Sequence, residues 1–131
     1  MINIKHDPLA DVFYIVYNTE KVGHETCLVP ASELIKNVLI AMQKACYIGG
    51  FEYIEDGRSG QIRIEMIGKV NYAKVIKPRF AVGVDEFEKW ESRYLPAKGT
   101  GIIILSTPKG VMTHLEAKAQ HIGGRLLGYI Y

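Results

Sequence analysis

The residues best suited to chemistry crowd into one stretch near the carboxyl end, Ser106-Thr107-Pro108-Lys109-Gly110-Val111-Met112-Thr113-His114. Ahead of it, Ile102–Leu105 is an uninterrupted apolar run, as expected of a buried strand. Behind it, Thr113 and Glu116 have the T-x-x-E spacing of a capping box, so a helix is expected to start there. The spacing thus predicts a buried strand feeding a tight loop that leads into a helix N-terminus. The loop carries two hydroxyls, a cation and a glycine. Pro108 stiffens the chain, and Gly110 permits close approach of a backbone. Amides beside a helix N-terminus favour anions. Hydroxyls both donate and accept, which suits phosphates, ribose 2′-hydroxyls and base edges. Gly123-Gly124-Arg125 is expected to end the same helix and to add a close-approach surface with a charge. The same spacing also suits a plain connection whose Ser106 and Thr107 hydroxyls bond local backbone.

Other chemistries find less support. Neither GxxxxGK[ST] nor GxGxxG occurs. Ser106 and His114 could be written into a triad, but G-x-S-x-G is missing. His114-x-Glu116 echoes part of a zinc deaminase pattern without the following P-C-x-x-C. His6, His24 and His121 have no metal-ligand spacing and read as surface or capping histidines, so no metal site is expected. Glu52, Glu55 and Asp56 read as solvated acids around a hairpin tip. Cys27 and Cys46 form no CxxC pair and are expected to be free, partly buried thiols. With no convincing general base the chain is not expected to be an enzyme, and no cofactor is implied. An enzyme or binding module for a phosphorylated small molecule, held at Ser106–Thr113, is the alternative.

The elements that must position these residues follow from pattern. Asp7-Pro8 is a helix start, and Leu9, Val12, Phe13 and Val16 repeat at helical spacing up to an expected stop near Asn18. A short strand fits around Thr26–Val29. Ser32 caps a second helix with Leu34, Ile35, Val38, Leu39 and Met42 as its apolar stripe, ending near Ala45 before Gly49-Gly50. Period two then takes over: Phe51 and Tyr53 against Glu52, a turn cluster over residues 55–60, then Ile62, Ile64 and Met66 alternating with Arg63 and Glu65. Further on, a strand is expected over Val70–Ile76, a break at Lys77-Pro78-Arg79-Phe80, a short helix over Asp85–Tyr94, the helix Thr113–His121, and a final strand Leu126–Tyr131. The fold class is α+β in two small lobes: residues 1–68 as α-β-α-β-β, and residues 69–131 as mostly antiparallel β with short helices.

Composition narrows the function. Of 131 residues, 48% are hydrophobic and 23% charged, which excludes a disordered chain. No apolar run is long enough to span a membrane, and the N-terminus lacks the apolar core of a secretory signal. Net charge is only +2, but it is unevenly placed. Residues 1–65 hold 6 basic and 9 acidic side chains, and residues 66–131 hold 10 and 5, so the half with the hydroxyl-rich loop is the cationic one.

The stretch Gly101–Thr113, followed by Ala117-Lys118 and Gly123-Gly124, resembles the C-terminal signature of the ribosomal protein S8 family, a family of primary rRNA-binding proteins of the small ribosomal subunit. Asp7-Pro8-Leu9-Ala10-Asp11 through Asn18 resembles the family's opening helix, and Val29-Pro30-Ala31-Ser32-Glu33-Leu34 its second helix start. The segment between Arg79 and Gly101, with Gly49–Ile54, is similar to the archaeal and eukaryotic branch. The resemblance implies a structural protein in the cytoplasmic ribosome. Its partners would be the central domain of small-subunit rRNA and neighbouring ribosomal proteins, with no membrane and no small-molecule substrate. It implies that Ser106, Thr107, Pro108, Lys109, Gly110 and Thr113 lie on the main RNA-binding segment, with Gly123 and Gly124 on the following turn. It also implies secondary RNA-facing positions at Asn18 and Ser32, and a basic loop at Lys77 and Arg79. Tyr17 stands where the family usually has a basic residue, and Ala31-Ser32-Glu33 where Ser-Ser-Lys is commoner. Each lost cation removes about one counterion-release contact.

Overall fold

The computed structural model describes residues 7–55, 57 and 60–131. His6 and, within the expected turn cluster, Asp56, Arg58 and Ser59 lie outside the described residues. In chain order the elements are α1 (Pro8–Val22), β1 (Thr26–Pro30), α2 (Glu33–Lys44), β2 (Ile48–Ile54), β3 (Gln61–Met66), β4 (Ala73–Val75), β5 (Ala81–Val82), α3 (Phe87–Tyr94), β6 (Ile102–Thr107), β7 (Gly110–Thr113), α4 (His114–Gln120) and β8 (Gly124–Ile130). They form an α+β fold with antiparallel pairing in two sheets, β1-β3-β2 and β4-β8-β6-β7, with β5 also paired to β8.

Local chemistry sets the helix starts. Asp7 accepts the Leu9 and Ala10 amides with Pro8 in the first helical position, and Ser32 accepts the Ile35 amide at 3.1 Å. α1 does not stop at Asn18. Thr19 still belongs to its buried face, and the helix runs on until Gly23 adopts the left-handed cap, φ 79. Gly49-Gly50 likewise does not break the chain. It lies inside β2, where a Cβ on Gly49 would come within 3.1 Å of Ile67 and 3.3 Å of the Glu65 carbonyl. The strand expected over Val70–Ile76 shrinks to Ala73–Val75, because the Asn71 and Tyr72 amides converge on the single Tyr131 carbonyl instead of continuing a ladder. α4 ends at His121 in the left-handed conformation (φ 54), ahead of the glycine pair, and β8 begins at Gly124.

The five-stranded sheet is covered on both faces, so β6 reads as a continuous apolar run. Ile102 and Ile104 join Leu127, Ile130 and Ala73 in a core shared with Phe13, Val16 and Leu39 of the two long helices. Ile103 and Leu105 point the other way, to Leu126, Ile76, Phe87, Trp90 and Ala117. Gly128 lets α1 settle on the sheet: a Cβ there would sit 2.4 Å from the Phe13 ring. The covered sheet is a rigid base for whatever projects from its far end, the β6–β7 hairpin.

Candidate nucleic-acid interface

The expected loop into a helix N-terminus is a β-hairpin. Thr107 pairs with Gly110 across a turn made by Pro108 and Lys109, and the four residues of β7 separate that turn from α4. The helix start is therefore not at the loop, and the anion-binding argument based on helix amides does not apply to it. A proline followed two residues later by glycine suits a turn better than the entry to a helix. Gly110 has φ 118, which only glycine adopts without strain. The capping box is present as expected: Thr113 Oγ1 accepts the Glu116 amide at 3.2 Å, and Glu116 accepts the Thr113 amide at 3.2 Å.

The hydroxyls have unlike fates. Thr107 is buried; its Oγ1 donates to the Gly110 carbonyl at 2.7 Å and accepts the Lys109 amide at 3.2 Å. It braces the turn from inside. Thr113 is buried and spent on its cap. Ser106 is half-buried, and its hydroxyl has no hydrogen-bond partner among the described residues. Pro108, Lys109 and Gly110 are exposed. The hairpin thus presents one free hydroxyl and one cation on a turn whose shape is fixed by a third side chain.

The glycine pair acts through the fold. A Cβ on Gly124 would lie 2.2 Å from the Ser106 carbonyl oxygen, and one on Gly123 would lie 2.4 Å from that of Val82. Both glycines let β8 lie close against its neighbours, which seats Ser106 in register with Arg125. Arg125 is exposed and donates from Nη1 to the Arg79 carbonyl at 3.4 Å. Arg79 is exposed too. Lys109, Arg125 and Arg79 have no ion-pair partner among the described residues, unlike Lys77, whose Nζ is 3.3 Å from Asp7 Oδ2. That Asp7 carboxyl is partly buried, which works to raise its pKa, but the bond from Lys77 and the Ala10 and Leu9 amides outweigh this and lower it.

In the other lobe, Asn18 is half-buried within α1, and Ser32 is exposed with its Oγ engaged as the α2 cap. Ser32 lies on an open groove of about 530 Å³ with Ala31, Glu33, Lys36, Phe51, Tyr53 and Ile62. This lining is mainly apolar and offers no convergent polar set, so the groove is not the chemical counterpart of the hairpin tip.

His114 belongs to the packing. It is buried, Nδ1 accepts the Ile103 amide at 3.0 Å, and Nε2 is 3.5 Å from Glu91, which also meets Lys118. Burial lowers its pKa and so favours the neutral ring, although the Glu91 charge acts to raise it. Among the described residues no three His, Cys, Asp or Glu side chains cluster as metal ligands. Cys27 is partly buried, and that burial pushes its thiol pKa up, whereas Cys46 is exposed at φ 66 rather than partly buried. The α3 segment supplies residues that pattern reading passed over. Lys89 lies 5.0 Å from the Trp90 ring centre, and Arg93 lies 5.4–5.5 Å from the rings of Phe80, Trp90 and Tyr94. Their i, i+4 spacing beside aromatics was the available signal.

Comparison with known proteins gives two findings. The family model described as ribosomal protein S8 matches residues 7–131. A protein of Methanococcoides burtonii named small ribosomal subunit protein uS8 is 51% identical over 126 residues, covering 95% of this chain and 97% of its own length.

Proposed function

The chain belongs to the ribosomal protein S8 family, and from that premise we propose that it serves in the small ribosomal subunit as a primary binding protein for the central domain of the rRNA. It is a structural component of the ribosome and not an enzyme. Its proposed partners are that rRNA and the adjoining ribosomal proteins.

The observation that carries the rRNA reading is the braced hairpin: Thr107 ties the turn internally, while Ser106 and Lys109 are left for a partner. A hydroxyl can read a 2′-hydroxyl or base edge in the shallow minor groove of RNA, and a cation beside it can neutralise a phosphate. Arg125 and Arg79 extend the positive charge away from the tip. On this reading residues 69–131 form the rRNA-binding lobe. Residues 1–68 brace it and offer a weaker secondary contact around Asn18 and Ser32.

The test is a filter-binding titration of the whole protein against a central-domain rRNA transcript over a range of salt concentrations. Tight binding with a steep salt slope is expected, and equal affinity for an unrelated hairpin of the same length would defeat the proposal. Lys109→Ala should weaken binding to every RNA and reduce the slope by about 0.9. Ser106→Ala should cost about 1–3 kcal/mol and relax selectivity. If neither variant changes affinity, the hairpin is architectural and the RNA site lies elsewhere.

A further inference from the structure

We propose that Arg93, seated on an aromatic platform of Phe80, Trp90 and Tyr94, is a second RNA contact that takes a backbone phosphate of the same RNA the hairpin tip binds. The inference rests on the proposed rRNA-binding function and deepens it.

α3 divides its charge by face. Glu88, Glu91, Ser92 and Leu95 line one groove together with Lys118. Lys89, Trp90, Arg93 and Tyr94 fall on the other side, as helical periodicity requires of neighbours at i, i+1, i+4 and i+5. On that side the rings are layered: Phe80 against Trp90 at 5.0 Å, and Trp90 against Tyr94 at 6.1 Å with planes 6° apart. The Arg93 guanidinium stands 5.5, 5.4 and 5.5 Å from the three ring centres and is exposed.

Two carboxylates near this segment are engaged elsewhere. Glu86 accepts the Gly83 amide at 2.6 Å, and Glu91 faces His114 and Lys118. Arg93 and Lys89 have no ion-pair partner among the described residues. A guanidinium held within 5.5 Å of three aromatic ring centres has less side-chain freedom left to lose on meeting a planar array of oxygens.

The platform also connects to the hairpin. Ser106 is in register with Arg125, Arg125 donates to the Arg79 carbonyl, Phe80 follows Arg79, and Phe80 is the outer ring under Arg93. This set of exposed cations, Lys109, Arg125, Arg79, Arg93 and Lys89, none with an ion-pair partner among the described residues, complements a polyanion. It has no comparable fit to an apolar partner.

The experiment uses the full chain and the central-domain transcript, with salt titrations and hydroxyl-radical footprinting of wild type, Arg93→Ala, Arg93→Lys, Phe80→Leu and Lys109→Ala. Melting curves confirm that each variant is folded at the binding temperature. Arg93→Ala should weaken binding about five- to tenfold and lower the salt slope by about 0.9. It should also expose a stretch of RNA backbone distinct from that exposed by Lys109→Ala. Arg93→Lys should keep the slope while recovering only part of the affinity, and Phe80→Leu should do the same by loosening the seat.

An unchanged affinity and footprint for Arg93→Ala, with the Lys109→Ala loss intact, overturns this inference alone. Unchanged binding for both variants overturns the RNA reading itself. Normal RNA binding by Arg93→Ala with impaired incorporation into salt-washed small subunits assigns the platform to a protein neighbour and also overturns the proposal.

Discussion

Ser32 opens α2 with its Oγ accepting the Ile35 amide, whereas Ser106 sits at the end of β6 with a hydroxyl that no described residue engages. Both serines occupy positions that the family resemblance marks as RNA-facing. The N-terminal lobe spends its hydroxyl on starting a helix and pairs its Arg63 with Glu52. The C-terminal lobe braces its turn with a different hydroxyl, that of Thr107, and leaves Ser106, Lys109, Arg125 and Arg79 unpaired by any carboxylate among the described residues. Residue type alone therefore does not make a binding site. A polar side chain is available for a partner only where the fold's own polar demands have been met by something else.

Two strand glycines, Gly124 and Gly50, also contrast, and this gives the largest expected effect. Gly124→Ala would drive a methyl into the Ser106 backbone at 2.2 Å. Alanine there should destabilise the protein by about 3 kcal/mol or more, because the obstacle is a strand backbone and not a flexible side chain. Chemical denaturation measures this directly, and rRNA binding should fall with it as Ser106 shifts. Gly50 in β2 is the counterpart. The nearest atoms to its Cβ position are those of the Glu65 carboxyl at 3.8–3.9 Å, so Gly50→Ala should change stability by less than about 1 kcal/mol. Equal costs at the two positions would show that the β6–β8 approach is not the constraint on the hairpin.

How much of this was legible beforehand depended on whether local chemistry or tertiary pairing decided the outcome. The α1 and α2 starts and the Thr113–Glu116 box were readable because a cap is satisfied within a few residues. The alternation of Ile62 and Ile64 was readable because it records one buried face. β7 was not. Gly110-Val111-Met112-Thr113 holds the β-branched Val111 and Thr113 but is too short to declare itself between a turn and a helix cap, and it becomes a strand because β6 offers it an edge. The roles of Gly123 and Gly124 were hidden for a related reason: a glycine marks close approach, but the sequence does not say whether ligand or backbone is approaching. At the candidate site, the exposure of Lys109 followed from the turn residues. The burial of Thr107 and Thr113 depended on pairing and packing that only the folded chain reveals.

The serine contrast leads to a crossed pair of effects of intermediate size. Ser32→Ala removes an N-cap and should cost about 1 kcal/mol of stability, while leaving rRNA affinity within about twofold. Ser106→Ala should do the reverse, with an unchanged denaturation midpoint and the affinity loss given above. Measuring both quantities on both variants sharpens the comparison further than either alone. If Ser32→Ala lost as much affinity as Ser106→Ala, the N-terminal lobe would be an equal partner in RNA binding despite Ala31, Glu33 and Tyr17.

The smallest effect concerns alkali and a tyrosine of the C-terminal sheet. Tyr129 in β8 packs 5.9 Å from Tyr72, 5.0 Å from Tyr94 and 6.4 Å from Tyr131. Burial comes first in raising its phenol, and the neighbouring Tyr72, Tyr131 and Tyr94 oxygens add to it, pushing it up to about 12. Unfolding returns it to its ordinary value of 10. The folded chain therefore holds this proton over an interval in which the unfolded chain has released it. Its stabilising contribution is complete below pH 10 and disappears as pH rises through about 12. Phenolate absorbance should show a late-titrating tyrosine that Tyr129→Phe removes. The loss of stability between those pH values should be shallower in that variant, which keeps the ring and lacks the ionisable oxygen. An unaltered alkaline profile in Tyr129→Phe would mean that the sensitivity of the C-terminal sheet to base arises elsewhere in the aromatic array.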